Sequence, residues 1–246
     1  ATLEQLRSSL ECINAFIDAY RLFTMNPDVA NQSRVMEAIL YAFMGPYMWK
    51  ARSDLARDQG LAGMRALIPP FLIVGGRARS GKTTLLEFIN RLLGGGGKPY
   101  FGYQAVEKSL VDMVKTENLY PVLVDEIPQS FFRSTAHNKG DQIIKYMANE
   151  LEGKHPVIIA TTNHSEFSIG DQALRRIYYL TIDNTFDKSR FVDSTKHLET
   201  TLMKANSSLF RDFTFRMQAL LGRQESFADP MDPLRIAREV FQGYYK

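Results

Sequence analysis

The chain opens with apolar residues at helical spacing. Leu3, Leu6, Leu10, Ile13, Phe16, Ile17 and Tyr20 recur at intervals of three and four, which predicts a helix within residues 2–25. Asn26-Pro27-Asp28 breaks the pattern. A second helix is expected from about Ser33, with Val35, Ile39, Leu40, Phe43 and Met44 on one face. Gly45-Pro46 interrupts or kinks it, and the pattern resumes through Leu55. The aromatic, methionine-rich run from Tyr41 to Trp49 is expected to be core, and Pro69-Pro70 closes the region.

From Phe71 the period changes. Short apolar runs at 71–74, 121–124, 157–162 and 177–182 read as buried strands, with a further short one at 98–104. Between them lie helical patterns. The first carries Leu85, Leu86, Phe88, Ile89, Leu92 and Leu93 and stops at Gly94–Gly97; others are expected at 105–115, 141–151 and 171–176. Residues 129–140 read as a polar loop. After Asp183 the strands cease, and helices are expected near 191–205, 207–221 and 232–244. Strand–helix alternation predicts an α/β fold: a parallel sheet covered by helices. The chain thus divides into an N-terminal helical region (1–68), an α/β core (69–186) and a C-terminal helical piece (187–246).

Composition changes this picture little. The 246 residues are 45% hydrophobic and 23% charged, ordinary for a globular protein. A net charge of +3 neither demands nor excludes nucleic acid. The single cysteine, Cys12, rules out an internal disulfide and fits a reducing, cytoplasmic setting. No run is long and apolar enough to span a bilayer. The chain starts at Ala1, so either an initiator Met was removed or this is a fragment; it stops at Lys246, just after a helical pattern without a clear stop signal, and a larger parent protein is one expectation.

The candidate chemistry begins where the first strand ends. Gly76 to Thr83 fits G-x-x-x-x-G-K-[ST] without a gap, between an apolar strand and an amphipathic helix. Gly76, Arg79, Ser80, Gly81, Lys82, Thr83 and Thr84 are therefore candidate nucleotide-binding residues. Glycines let the loop curl its backbone N–H groups toward phosphate oxygens. Lys82 supplies a charge for the β- and γ-phosphates, and Thr83 a hydroxyl for Mg²⁺. The strand at 121–124 ends in Asp125-Glu126. Asp125 is a candidate for the Mg²⁺ shell; Glu126 is a candidate to orient or deprotonate an attacking water. A further strand ends in Thr161-Thr162-Asn163. Asn163 would stand beside the γ-phosphate if this strand lies between the loop strand and the acidic strand. Arg175 and Arg176 precede the last strand. An arginine projecting from one subunit can stabilise charge on a phosphate held by its neighbour.

The order of phosphate loop, Asp125-Glu126, Asn163, Arg175-Arg176 and a helical C-terminal piece resembles AAA+ ATPases. The run from Thr161-Thr162-Asn163 to Ala173-Leu174-Arg175-Arg176 also resembles superfamily 3 helicases and phage primase-helicases. The resemblance covers about 69–184 by motif and reaches about 244 by helical pattern. It implies ATP and Mg²⁺ as cofactors, with the parts acting as Walker A, Walker B, sensor 1 and an arginine finger at Arg175 or Arg176. It further implies a helical lid over 187–246 and a homo-oligomeric ring, a hexamer being one form. The lid arginine of that family is open among Arg211, Arg216, Arg223, Arg235 and Arg238.

Three functions fit these features. The first is an oligomeric, helicase-like motor on DNA. Lys98, Tyr100, Phe101 and Tyr103 are candidate grips for bases, although their positions do not share one strand face, which favours a partly buried strand. The second is a nucleotide-gated switch controlling an effector domain or partner protein. The third is a protein remodeller.

Overall fold

The computed structural model describes every residue except 133–138, 164–174, 224 and 246. Its first helix, α1 (Leu3–Leu22), is opened by Thr2. The Thr2 hydroxyl accepts from the Gln5 N–H at 3.2 Å, and the Gln5 side chain accepts from the Thr2 N–H at 2.9 Å. Helix α2 (Val29–Met44) begins four residues before the expected Ser33. Asp28 caps it by accepting from the Ala30 N–H at 2.9 Å, and its first turn begins with exposed Val29, so apolar periodicity does not reveal the true start. Gly45-Pro46 converts the chain to a 3₁₀ turn (Gly45–Tyr47), and α3 (Met48–Gln59) resumes beyond the expected Leu55.

Five strands form one parallel sheet: β1 (Phe71–Gly75), β2 (Phe101–Gly102), β3 (Val122–Asp125), β4 (Ile158–Thr161) and β5 (Tyr178–Thr181). Their order is β2-β3-β4-β1-β5. Strand β4 therefore lies between the phosphate-loop strand and the acidic strand, pairing Phe71 with Ile158 on one side and Val122 with Ile158 on the other. The helices that follow are α4 (Lys82–Leu92), α5 (Tyr103–Val106), α6 (Leu110–Val114), α7 (Lys139–Lys145), α8 (Phe191–Lys204), α9 (Ser208–Gly222) and α10 (Arg235–Gln242).

Three local expectations are corrected. The strand expected at 98–104 is only two residues long, because Tyr103 turns at once into α5 and buries its ring. The helix expected at 105–115 splits into α5 and α6. The polar loop expected at 129–140 begins as a helical turn, Gln129–Phe132. Phe131 and Phe132 are buried there, and Phe131 packs edge-on to Phe71 at 6.0 Å and Tyr103 at 5.5 Å. Residues 171–174 of the helix expected at 171–176 lie outside the described residues.

Alternation along each strand separates two apolar layers. Phe71, Ile73, Val122, Val124, Ile158 and Ala160 face one layer with α5, α6 and α7. Leu72, Val74, Leu123, Ile159 and Leu180 face the other, where residues of α1–α4 and α8–α10 form one continuous core. Phe16 of α1 stacks on Phe88 of α4 at 4.0 Å, tying the N-terminal helices to the helix that follows the phosphate loop. On the opposite side Arg52 is fully buried. It donates to the carbonyls of Ile68 at 2.9 Å, Met147 at 2.8 Å and Ala148 at 3.0 Å. It thereby satisfies carbonyls of the π-helical turn (Tyr146–Glu150) that ends α7, and burial pulls its pKa down to about 10.

Candidate nucleotide site

The carboxyl ends of β1, β3 and β4 meet at a cavity of about 230 Å³. Its lining includes Arg79, Ser80, Gly81, Lys82, Thr83 and Thr84 from the loop, with Asp125, Glu126, Thr161 and Asn163 from the neighbouring strand ends. Every predicted nucleotide, metal and catalytic residue except Gly76, Arg175 and Arg176 therefore lines one space. The strand order explains this: with β4 inserted, Asn163 and Glu126 arrive side by side, and the Asn163 amide donates to Glu126 Oε1 at 3.3 Å.

Gly76 shapes the loop from beneath. It has φ +144°, and a Cβ there would lie 2.0 Å from the Ile182 carbonyl oxygen, so only glycine fits. Gly81, at φ +81°, starts α4, and a Cβ on it would meet the Tyr20 hydroxyl at 2.8 Å. That hydroxyl donates to the Gly81 carbonyl at 3.1 Å. The connector after β5 props the same loop, since the Phe186 N–H donates to the Arg79 carbonyl at 3.1 Å. The phosphate loop is thus held by α1 and by residues after β5 as well as by its own strand.

Lys82 is buried beneath the loop and donates to the carbonyls of Gly76 at 2.9 Å and Arg77 at 2.7 Å and to Ser80 Oγ at 3.1 Å. Burial lowers its pKa, opposed by the nearby charges of Asp125 and Glu126. Thr83 donates to Asp125, 3.0 Å from Oδ2. That separation fits Mg²⁺: two oxygens on adjacent corners of an octahedron with bonds of about 2.1 Å stand about 3 Å apart. A hydroxyl and one carboxylate leave the remaining positions to phosphate oxygens and water, the usual pattern for this ion. Among the described residues no cluster of three or more His, Cys, Asp or Glu could hold a metal alone.

Two of the three described non-glycine residues with positive φ line the cavity, Arg79 at +66° and Glu126 at +59°. Such a conformation costs an L-residue about 1–2 kcal/mol. Thr161 steadies the second. Its hydroxyl donates to Asp125 Oδ1 and accepts from the Glu126 N–H at 3.1 Å. Thr161 was legible only as part of a strand end. Tyr20, sixty-one residues before its partner Gly81, was legible only as part of the apolar face of α1.

The remaining predictions fall elsewhere. Arg175 and Arg176 precede β5 at the amino-terminal end of the sheet, while the cavity is at the carboxyl end, about 15 Å away by strand rise. The structure does not bring them to their own chain's cavity. Of the five lid candidates, none lines the cavity. Arg216 pairs with Asp212 at 2.7 Å, Arg235 with Glu239 at 2.8 Å and Arg238 with Asp232 at 3.1 Å. Of the proposed base grips, Tyr103 is buried, Tyr100 half-buried and Phe101 exposed. Among the described residues, no helix is long and apolar enough to cross a membrane.

A family model described as the Aq_aa27 P-loop NTPase domain matches residues 1–166. The "Uncharacterized protein aq_aa27" of Aquifex aeolicus (strain VF5) is 30% identical over 105 residues. The match covers 39% of this chain and 38% of that protein, well under half of the relative's length. Among solved structures, an X-ray structure of JCV helicase is 14% identical, with 93% of this chain and 74% of that one covered and a TM-score of 0.34. An inhibitor-bound JCV helicase gives 13%, the same coverage and a TM-score of 0.31.

Proposed function

Because this chain belongs to the Aq_aa27 P-loop NTPase domain family, we propose that it binds ATP with Mg²⁺ and hydrolyses it, in an AAA+-like assembly whose site is shared between copies. The observation that supports this best is the convergence of Lys82, Thr83, Asp125, Glu126 and Asn163 on one cavity. A protein that only held a nucleotide would not need Glu126 and Asn163 beside each other at its far end. In this reading Lys82 exchanges loop carbonyls for phosphate oxygens. Glu126 accepts a proton from, or orients, the attacking water, and Asn163 fixes the Glu126 carboxylate and that water. Thr83 and Asp125 would hold Mg²⁺, which supplies charge neutralisation on the phosphates when bound. Arg175 or Arg176, distant from its own cavity, serves the site of a neighbouring copy.

The motor reading, an oligomer moving DNA, is supported by the helicase-like order of Asn163 and the arginine pair. A second reading, a nucleotide-gated switch, is favoured by one contact: Tyr20 ties α1 directly to Gly81 of the phosphate loop. A change in the loop on nucleotide binding then reaches the N-terminal helices without an intermediary.

The test is nucleotide titration with phosphate release. Lys82→Ala is expected to abolish ATP binding, and Glu126→Gln to retain binding while blocking turnover. Full affinity in the first variant, or undiminished phosphate release in the second, defeats the reading. A wild-type specific rate that climbs with protein concentration and again with DNA supports the motor; a climb indifferent to DNA supports the switch.

A further inference from the structure

The loop carries two arginines, and they diverge. Arg77 lines a separate polar cavity of about 280 Å³ with Asp28 and Asp183, whereas Arg79 lines the nucleotide cavity. Arg79 occupies a left-handed backbone position, φ +66°, where a glycine would be relaxed. The Phe186 N–H grips its carbonyl, so the strained conformation is held from outside the loop. Its side chain is exposed, and among the described residues it has no hydrogen-bond, ion-pair or ring partner. The other cation of the cavity, Lys82, has three acceptors within hydrogen-bond distance. Strained backbone of this kind persists only where the surrounding structure holds it, and it clusters at ligand-binding and active sites.

We propose that Arg79 is a specificity-determining residue that binds the terminal phosphate of a nucleoside triphosphate in cis, setting preference for triphosphate over diphosphate. The proposal rests on the nucleotide reading above. Arg79 shares its cavity with Glu126 and Asn163, the pair that marks the end where the attacking water would stand. A guanidinium offers two parallel N–H donors that match two oxygens of one phosphoryl group, and it keeps its charge at any working pH. A diphosphate leaves that end of the cavity vacant, so only the triphosphate gains the contact.

The experiment is calorimetric titration of the full chain with Mg·ATP and Mg·ADP, in wild type, Arg79→Gly and Arg79→Lys. Glycine relieves the backbone and removes the fork, so the thermal midpoint of Arg79→Gly should equal or exceed that of wild type. ATP affinity should fall by about 10- to 30-fold, the size of a lost charge-assisted contact, while ADP affinity stays within about twofold. Lysine should restore part of the preference, as a charge without the fork. Equal loss for both nucleotides, an undiminished ATP preference, or a wild type that binds ATP and ADP equally overturns the role of Arg79 alone. A wild type that binds neither nucleotide defeats the site reading as well.

Discussion

Thr161→Val deletes one hydroxyl, nearly conserves shape and strikes the join between Asp125 and Glu126, the carboxylates proposed to hold Mg²⁺ and to act on water. In the native chain that hydroxyl donates to Asp125 and accepts the Glu126 N–H. A hydrogen bond to a charged acceptor contributes about 1.5–3 kcal/mol. The Glu126 residue is exposed, so water can replace its lost acceptor at small cost. Thr83 still holds Asp125. The expected loss of stability is therefore about 2 kcal/mol, read as a lower urea midpoint at unchanged slope. Turnover should suffer more than binding. With its amide released, Glu126 can leave the left-handed conformation at +59°, and among the described residues Asn163 is left to restrain its carboxylate. We expect kcat to drop by about 10- to 100-fold, equivalent to about 1.4–2.7 kcal/mol of barrier. Nucleotide affinity should change by less than about threefold, or about 0.7 kcal/mol, because the loop and Lys82 are untouched. Steady-state phosphate release and nucleotide titration on the same preparation separate the two effects, with Thr161→Ser expected to restore turnover. A destabilised Thr161→Val chain that keeps wild-type kcat would show that the hydroxyl serves packing alone and would refute the positioning argument.

Three further outcomes are expected. Mixing Arg175→Ala or Arg176→Ala with Lys82→Ala should recover some phosphate release, because one interface then combines an intact loop with an intact arginine; no recovery at any ratio removes the shared site. Gly76→Ala should cost about 3 kcal/mol or more and abolish nucleotide binding, since its Cβ would lie 2.0 Å from the Ile182 carbonyl oxygen; a stable variant that binds normally would contradict the loop geometry. His155, buried beside the positive Arg52, has its pKa pulled down to about 4, first by burial and then by that charge. The folded state holds this ring neutral while the unfolded chain protonates it near 6.5, so stability should fall as pH drops from about 6.5 to 4, by about 3 kcal/mol. Wild type and His155→Gln compared by urea unfolding across that window should converge toward low pH; parallel curves would place the ring in water.

The phosphate loop and the two carboxylates were legible because each is a local pattern: a strand, then its polar end. The position of β4 was legible only as a condition, since strand order is set by long-range pairing that no window of sequence contains. Tyr20 shows the same limit, as its contact with Gly81 depends on how α1 crosses α4. Phe131 and Phe132 escaped because their polar neighbours dominated the segment, although two adjacent aromatics in a polar run are themselves a burial signal. The start of α2 escaped because a cap announces it rather than an apolar face.

The position of β4 also has a temporal consequence. Strand β1 pairs with residues 158–161 on one side and 178–181 on the other. A chain emerging from the ribosome exposes its most apolar strand long before either neighbour exists, with about ninety residues still to be made. Contacts that distant in sequence form slowly, and an unpaired buried strand invites association with other chains. The shared core of α1, α2 and α4 can shelter one face of β1 in that interval. The N-terminal helices would then act first as a cradle for a strand awaiting its partners, before any nucleotide arrives.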